Sequence, residues 1–229
     1  APNDGRGAGW GAPSGDRSGV EDIDQVAGGV LAGESQEDLL EAALAAGRPR
    51  VVYASSSSVY GDASPLPLRE DGPCQPVSPY GVTKLAAEHL AVLYHRNHGL
   101  PTVSLRFFTV YGPRQRPDMA FHRFLKAARD GQAITVFGDG LQTRDFTYVS
   151  DIVNAVRAAP LSGRPGSVYN VGGGERVALN EVLRIIESVT ERPLRVQRQE
   201  AQKGDMRDTF ADTTAARRDL GFRPTVPLP

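Results

Sequence analysis

Cysteine occurs once in the 229 residues, at Cys74, which excludes an internal disulfide framework and any metal site built from several thiolates. Lysine is almost as scarce: Lys84, Lys126 and Lys203 are the only three, and arginine carries the rest of the basic charge. No apolar run approaches the roughly 20 residues needed to cross a bilayer, and the N-terminus lacks the apolar stretch of a secretory signal. A net charge of -1 leaves no basic field for nucleic acid and no acidic tail. The partners expected from these absences are small molecules or copies of the same chain, and the expected location is a reducing cytoplasm. A chain of this length with 40% hydrophobic residues can bury a substantial core as one or two domains.

Hydrophobic patterning orders the chain. Residues 1–35 begin with a Gly, Pro, Ser, Asp and Arg-rich stretch that has almost nothing to bury, and they are read as a disordered lead-in. "SQEDLLEAALAAG" has helical spacing and ends on Gly47, and "RVVYAS" reads as a buried strand. Prolines then impose a long loop through "DASPLPLREDGPCQPVSP". "SPYGVTKLAAEHLAVLYHRNHG" carries a serine cap, an early proline and a closing glycine, so it predicts a long helix. "PTVSLRF" follows as a second strand, and strand, helix, strand is the pattern of a parallel sheet with crossover helices. The second half predicts helices around "FHRFLKAARDG", "SDIVNAVRAAP" and "LNEVLRIIESV", with strands at "ITVFG", "RDFTYV" and "SVYNVG". The closing "RPTVPLP" is punctuated by proline and adds no helix. The expected class is α/β, a partial Rossmann-type parallel sheet over 36–113, followed over 114–229 by a smaller α/β lobe with segments returning to the sheet.

Tyr80 and Lys84 are four apart on the long helix and share a face. An ammonium beside a phenol favours the phenolate, so the pair can make a base. The pair alone is unspecific, because seven tyrosines and three lysines produce such spacings by chance. The four serines of "YASSSSVYGD" follow a strand, and the ends of parallel strands are where doubly wound folds bind ligands. Read alone, they are either a serine-rich turn or a row of hydroxyls facing a substrate. His89, His95, His98 and His122 lie on helices or helix ends without metal-ligand spacing and read as structural or solvated.

Six motifs in order, "SSSSVYGD", "SPYGVTK", "LRFFTVYGPRQRPDMAFHRF", "GDGLQTRDFTYVSDIV", "YNVGGG" and "GDMRDTFADT", resemble the extended short-chain dehydrogenase/reductase family, in its nucleotide-sugar epimerase and dehydratase branch. The resemblance covers about residues 36 to 227. It implies an NAD-dependent enzyme with Ser56, Tyr80 and Lys84 as catalytic residues. Tyr80 takes the proton of the sugar 4-hydroxyl, Ser56 holds the reacting oxygen, and C4 inverts through a 4-keto sugar. Tyr80, Lys84 and Phe107 are implied to contact NAD.

The family's dehydratases carry an Asp-Glu pair after the catalytic Ser or Thr, and its decarboxylases usually keep the Glu. Ser57 and Ser58 stand there, and serine cannot do that acid and base work. "FFTVYGPRQRPDMA" is most similar to UDP-glucuronate 4-epimerases, which implies that Ser57, Ser58, Thr109 and Arg116 surround a sugar carboxylate. Arg116 as a solvated loop residue, with UDP-glucose as the substrate, is the neighbouring reading. Phe137 is implied at the uracil, or else in the core. Arg144 is implied at the pyrophosphate. Arg207 is a candidate second phosphate ligand, since Gln202 stands where the family often has arginine.

The family's opening glycine fingerprint is not found: "GAGWGA", residues 7–12, has no strand before it and Pro13 directly after. The chain is therefore expected to be N-terminally incomplete, or a noncatalytic nucleotide-sugar-binding relative. Leu85, Leu90, Leu93 and Tyr94 give the Tyr80 helix enough apolar surface for a homodimer, or for burial against its neighbour.

Overall fold

The protein is described from a computed structural model covering residues 35–62, 64–200 and 206–228. The lead-in of residues 1–34 and the sequence "GAGWGA" lie outside the described residues.

The first sheet comprises β1 (Val51–Ser56), β2 (Thr102–Phe107) and β6 (Ser167–Val171), all parallel, in the order β1-β2-β6. Ser56 is in register with Phe107 and Phe107 with Val171, so the three C-terminal strand ends form one edge. Helices α1 (Gln36–Ala45) and α2 (Pro79–His98) cover one face, with Leu40, Ala43, Val51, Tyr94 and Leu100 packed between them and the sheet. On the other face, α4 (Val149–Ser162) and α6 (Thr214–Leu220) close over Val103, Leu105, Tyr169 and Val171. This is a parallel sheet with helices on both sides, as the βαβ pattern requires.

A second group of elements follows. Strand β3 (Thr109–Tyr111) pairs in parallel with β5 (Thr143–Tyr148), which pairs antiparallel with β7 (Arg176–Ala178). Strand β4 (Ala133–Phe137) pairs in parallel with β8 (Arg195–Gln199). Helices α3 (Ala120–Asp130) and α5 (Leu179–Thr190) pack on these strands through Phe124, Ile134, Val136, Phe146, Val182 and Ile186.

Local chemistry sets the long helix. The Ser78 hydroxyl accepts the Gly81 N–H at 3.1 Å, Pro79 begins the first turn, and Gly99 closes the helix with a φ of 67°. Of the apolar residues expected to leave this helix sticky, Tyr94 is buried, Leu85 and Leu90 are half-buried, and Leu93 remains exposed. Strands β3, β7 and β8 and helix α6 were not among the expected elements. β3 and β7 are three residues long, too short to show a period, and every residue of β8 is exposed, so it exists through its pairing with β4. Helix α4 runs two residues past Pro160, where Arg50 donates to the Pro160 and Gly163 carbonyls.

Asp145 on β5 is fully buried and pins two other segments: its carboxylate accepts N–H groups from Gly173 at 2.6 Å and Gly174 at 3.3 Å, and from Ala211 at 2.9 Å. Burial outweighs those donors and pushes its pKa up to about 6 from the ordinary 3.8. The folded chain thus holds this proton over a range in which the unfolded chain has lost it. Stability from this group is greatest below pH 3.8 and falls by about 3 kcal/mol as pH rises to 6. Urea melts of the parent and Asp145→Asn across pH 4 to 7 check this: the parent's stability relative to the variant declines with pH, and a gap independent of pH would contradict it.

Candidate active site

The site is built where β1 ends and α2 begins. Ser56, the last residue of β1, caps a short helical turn over Ser57–Val59; its hydroxyl accepts the Ser58 N–H at 3.2 Å and donates to the Ser58 hydroxyl at 3.1 Å. The serines are therefore a folded strand-end turn. Gly81 lets α2 approach it: a Cβ there would lie 2.5 Å from the Ser58 carbonyl oxygen and 2.8 Å from the Pro76 Cβ. Tyr80, the residue before this contact, is 55% exposed. Lys84, one turn further on, donates from Nζ to the Ala54 carbonyl at 2.8 Å, with Nζ 5.8 Å from the Tyr80 ring centroid and 5.3 Å from that of Tyr53. Desolvation lowers the Lys84 pKa from its ordinary value, and burial first, then the charge of Glu88, pushes the Tyr53 phenol up to about 12.

Beside this turn is a polar cleft of about 100 Å³. It gathers four of the residues singled out from sequence, Ser57, Ser58, Thr109 and Arg144, although they come from the turn after β1, from β3 and from β5. Arg144 also donates to the Arg207 carbonyl at 2.9 Å, and the exposed Arg207 side chain pairs with Asp139 at 3.2 Å. The other residues do not line this cleft. Arg116 is clamped to Asp118 through two hydrogen bonds, at 2.8 and 3.1 Å, with its side chain 75% exposed. Phe137 is half-buried at the end of β4, and Phe107 ends β2 partly packed against the core beneath the sheet.

Four further cleft residues, Val77, Ser78, Met206 and Thr209, were not singled out from sequence. Ser78 was visible only as a helix cap. Met206 and Thr209 reach the site because Thr143 and Asp208 bridge, and the Thr143 hydroxyl bonds the Asp208 carboxylate, a pairing across more than sixty residues. No group of His, Cys, Asp or Glu able to hold a metal exists among the described residues, and none of their helices is long and apolar enough to cross a membrane.

Residues 27–172 match the NAD dependent epimerase/dehydratase family. The chain belongs to that family. Among relatives, the uncharacterized UDP-glucose epimerase YtcB of Bacillus subtilis is 42% identical over 198 residues, covering 85% of this chain and 62% of YtcB. The UDP-glucuronate 4-epimerase of Thermodesulfobacterium geofontis is 37% identical, covering 83% of this chain and 59% of that protein. Among solved structures, UDP-glucuronic acid 4-epimerase from Bacillus cereus, in complex with UDP-glucuronic acid and NAD, superposes with a TM-score of 0.81 at 41% identity, covering 84% of this chain and 62% of that one. The chain thus spans about three-fifths of the length of these family members.

Proposed function

We propose that the protein is an NAD-dependent nucleotide-sugar 4-epimerase acting on UDP-glucuronate. The observation that carries this reading is the gathering of Ser57, Ser58, Thr109 and Arg144 around one polar cleft beside the turn that bears Ser56 and the helix that bears Tyr80 and Lys84. The donor set suits a nicotinamide nucleotide, because Lys84 spends one of its N–H donors on Ala54 and has others for ribose hydroxyls, beside the exposed phenol of Tyr80. Bound NAD would supply reversible acceptance of the C4 hydrogen as hydride. Tyr80 takes and returns the proton of the sugar 4-hydroxyl, Lys84 places a positive charge beside the phenolate, and the Ser56 hydroxyl holds the same sugar oxygen. In this reading, residues 36–113 are part of the NAD-binding domain, and 114–229 mainly hold the sugar nucleotide.

UDP-glucuronate is preferred because the cleft offers neutral hydroxyls and the ion pair of Arg116 with Asp118 is exposed. Solvent screens such an exposed pair, so a sugar carboxylate can replace Asp118 at little cost. Arg144 serves the pyrophosphate, and Phe137 with Arg207 completes the nucleotide side. Arg144→Leu is expected to raise the dissociation constant of UDP, measured by calorimetry, by about ten- to a hundred-fold, the loss of one charge-assisted contact. Turnover with NAD added, compared between UDP-glucuronate and UDP-glucose, tests the substrate. A kcat/KM higher for the glucuronate supports it, and a higher value for UDP-glucose transfers the assignment. A homodimer through α2 belongs to this reading, supported by the exposed Val82 and Leu93. So does a cytoplasmic location, supported by the single cysteine.

A further inference from the structure

Beneath the proposed active site is a buried ionic cluster that the chemistry above does not use. Glu88 and Arg106 are only 2% and 4% exposed. Arg106, in the middle of the sheet on β2, grips the Glu88 carboxylate with both prongs, Nη2 to Oε1 at 2.6 Å and Nε to Oε2 at 3.0 Å. The Ser55 hydroxyl on β1 donates to the same Oε2 at 2.7 Å. Arg106 is backed by the Tyr60 ring, with the guanidinium carbon 4.7 Å from its centroid, and it also reaches the Glu70 carbonyl at 3.3 Å.

An ion pair buried this deeply is weak evidence for stability, because desolvation cancels much of its attraction; its attested use is to fix one arrangement among several. The arrangement here is a register. Tyr80, Lys84 and Glu88 are successive residues on one stripe of α2, four apart. A long side chain on a helix leans back toward the helix N-terminus, and the Glu88 side chain meets Ser55, the residue between Lys84's acceptor Ala54 and the proposed catalytic Ser56. Four contacts therefore lace α2 to β1 and its turn: Gly81 against Ser58, the Tyr53 hydroxyl on the Lys84 carbonyl at 3.4 Å, Lys84 Nζ on Ala54, and Glu88 on Ser55. Only the last is tied to a further strand.

We infer that Glu88, held by Ser55 and Arg106, is a positioning residue that sets the register of α2 against β1 and thereby places Tyr80 and Lys84 beside Ser56. The catalytic part of this statement rests on the epimerase reading; the register part does not. Lys84 reports on the register directly. Its ammonium is partly desolvated and faces Tyr53, Tyr80 and the Ala54 carbonyl, and loosening α2 lets water reach it.

With only three lysines in the sequence, carbon-13 NMR of lysine-labelled protein resolves Lys84. In Ser55→Ala, which leaves the Glu88–Arg106 pair intact, and in Glu88→Gln, the Lys84 titration midpoint is expected to rise toward the ordinary lysine value. Ser55→Thr, which keeps the hydroxyl, should restore the parental midpoint. Turnover of UDP-glucuronate in Ser55→Ala should lose about ten-fold or more in kcat with KM within about two-fold, the signature of misplaced groups and not of lost binding. If Glu88→Gln does not fold, Ser55→Ala decides alone. A parental Lys84 midpoint in Ser55→Ala overturns the inference even where the parent turns over UDP-glucuronate. A displaced midpoint upholds the register role even where the parent shows no turnover, and in that case it is the epimerase reading that fails.

Discussion

Tyr80→Phe is expected to lower turnover of UDP-glucuronate by about 10²- to 10⁴-fold, the range contributed by a positioned general acid-base group. The ring is 55% exposed at the mouth of the site, so removing its hydroxyl takes away no buried hydrogen bond and should leave the melting temperature unchanged. Binding of UDP-glucuronate should change little, because the cleft residues Ser57, Ser58, Thr109 and Arg144 are untouched. A variant that keeps parental kcat would remove proton transfer from Tyr80. A variant that loses kcat together with stability would give the phenol a structural role instead.

The second large effect belongs to a residue without a side chain. In Gly81→Ala the new Cβ meets the Ser58 carbonyl at 2.5 Å and the Pro76 Cβ at 2.8 Å, and a backbone oxygen has no rotamer by which to yield. Helix α2 must shift away from the serine turn. Alanine favours the helix by about 1 kcal/mol over glycine, whereas overpacking a closed contact costs about 1 to 3 kcal/mol, so the net loss of stability is small. Catalysis is far more sensitive, since a displacement near 1 Å can cost about 10²-fold in rate. The expected result is a folded protein with kcat lowered by about that factor. Parental kcat in a Gly81→Ala protein would show that the close approach of α2 to the turn is not needed.

Much of this was legible in the sequence because it is local or modular. The Ser78 cap, Pro79 and Gly99 give α2 its ends without tertiary information, and alternating strand and helix patterns give the parallel sheet. Ser57, Ser58, Thr109 and Arg144 were picked out through motifs and do share one cleft. Arg116 was singled out by the same route, yet it lies on a loop where Asp118, two residues away, captures it. What stayed hidden depends on distant pairing. Met206 and Thr209 join the cleft through a bridge between Thr143 and Asp208, and β8 has five exposed residues with no apolar period to announce it. The Glu88–Arg106 pair left a trace that could have been followed. A glutamate one turn beyond Lys84, on the same stripe, and an arginine inside the apolar run "VSLRFF" are each misplaced unless they meet.

Proton NMR of UDP-glucuronate incubated with the chain and NAD follows inversion at C4 as it happens. The C4-inverted product, UDP-galacturonate, should grow to an equilibrium mixture with the substrate, and in Tyr80→Phe it should be nearly absent. An unchanged substrate spectrum, or a dehydrated or decarboxylated sugar as the product, would contradict the account.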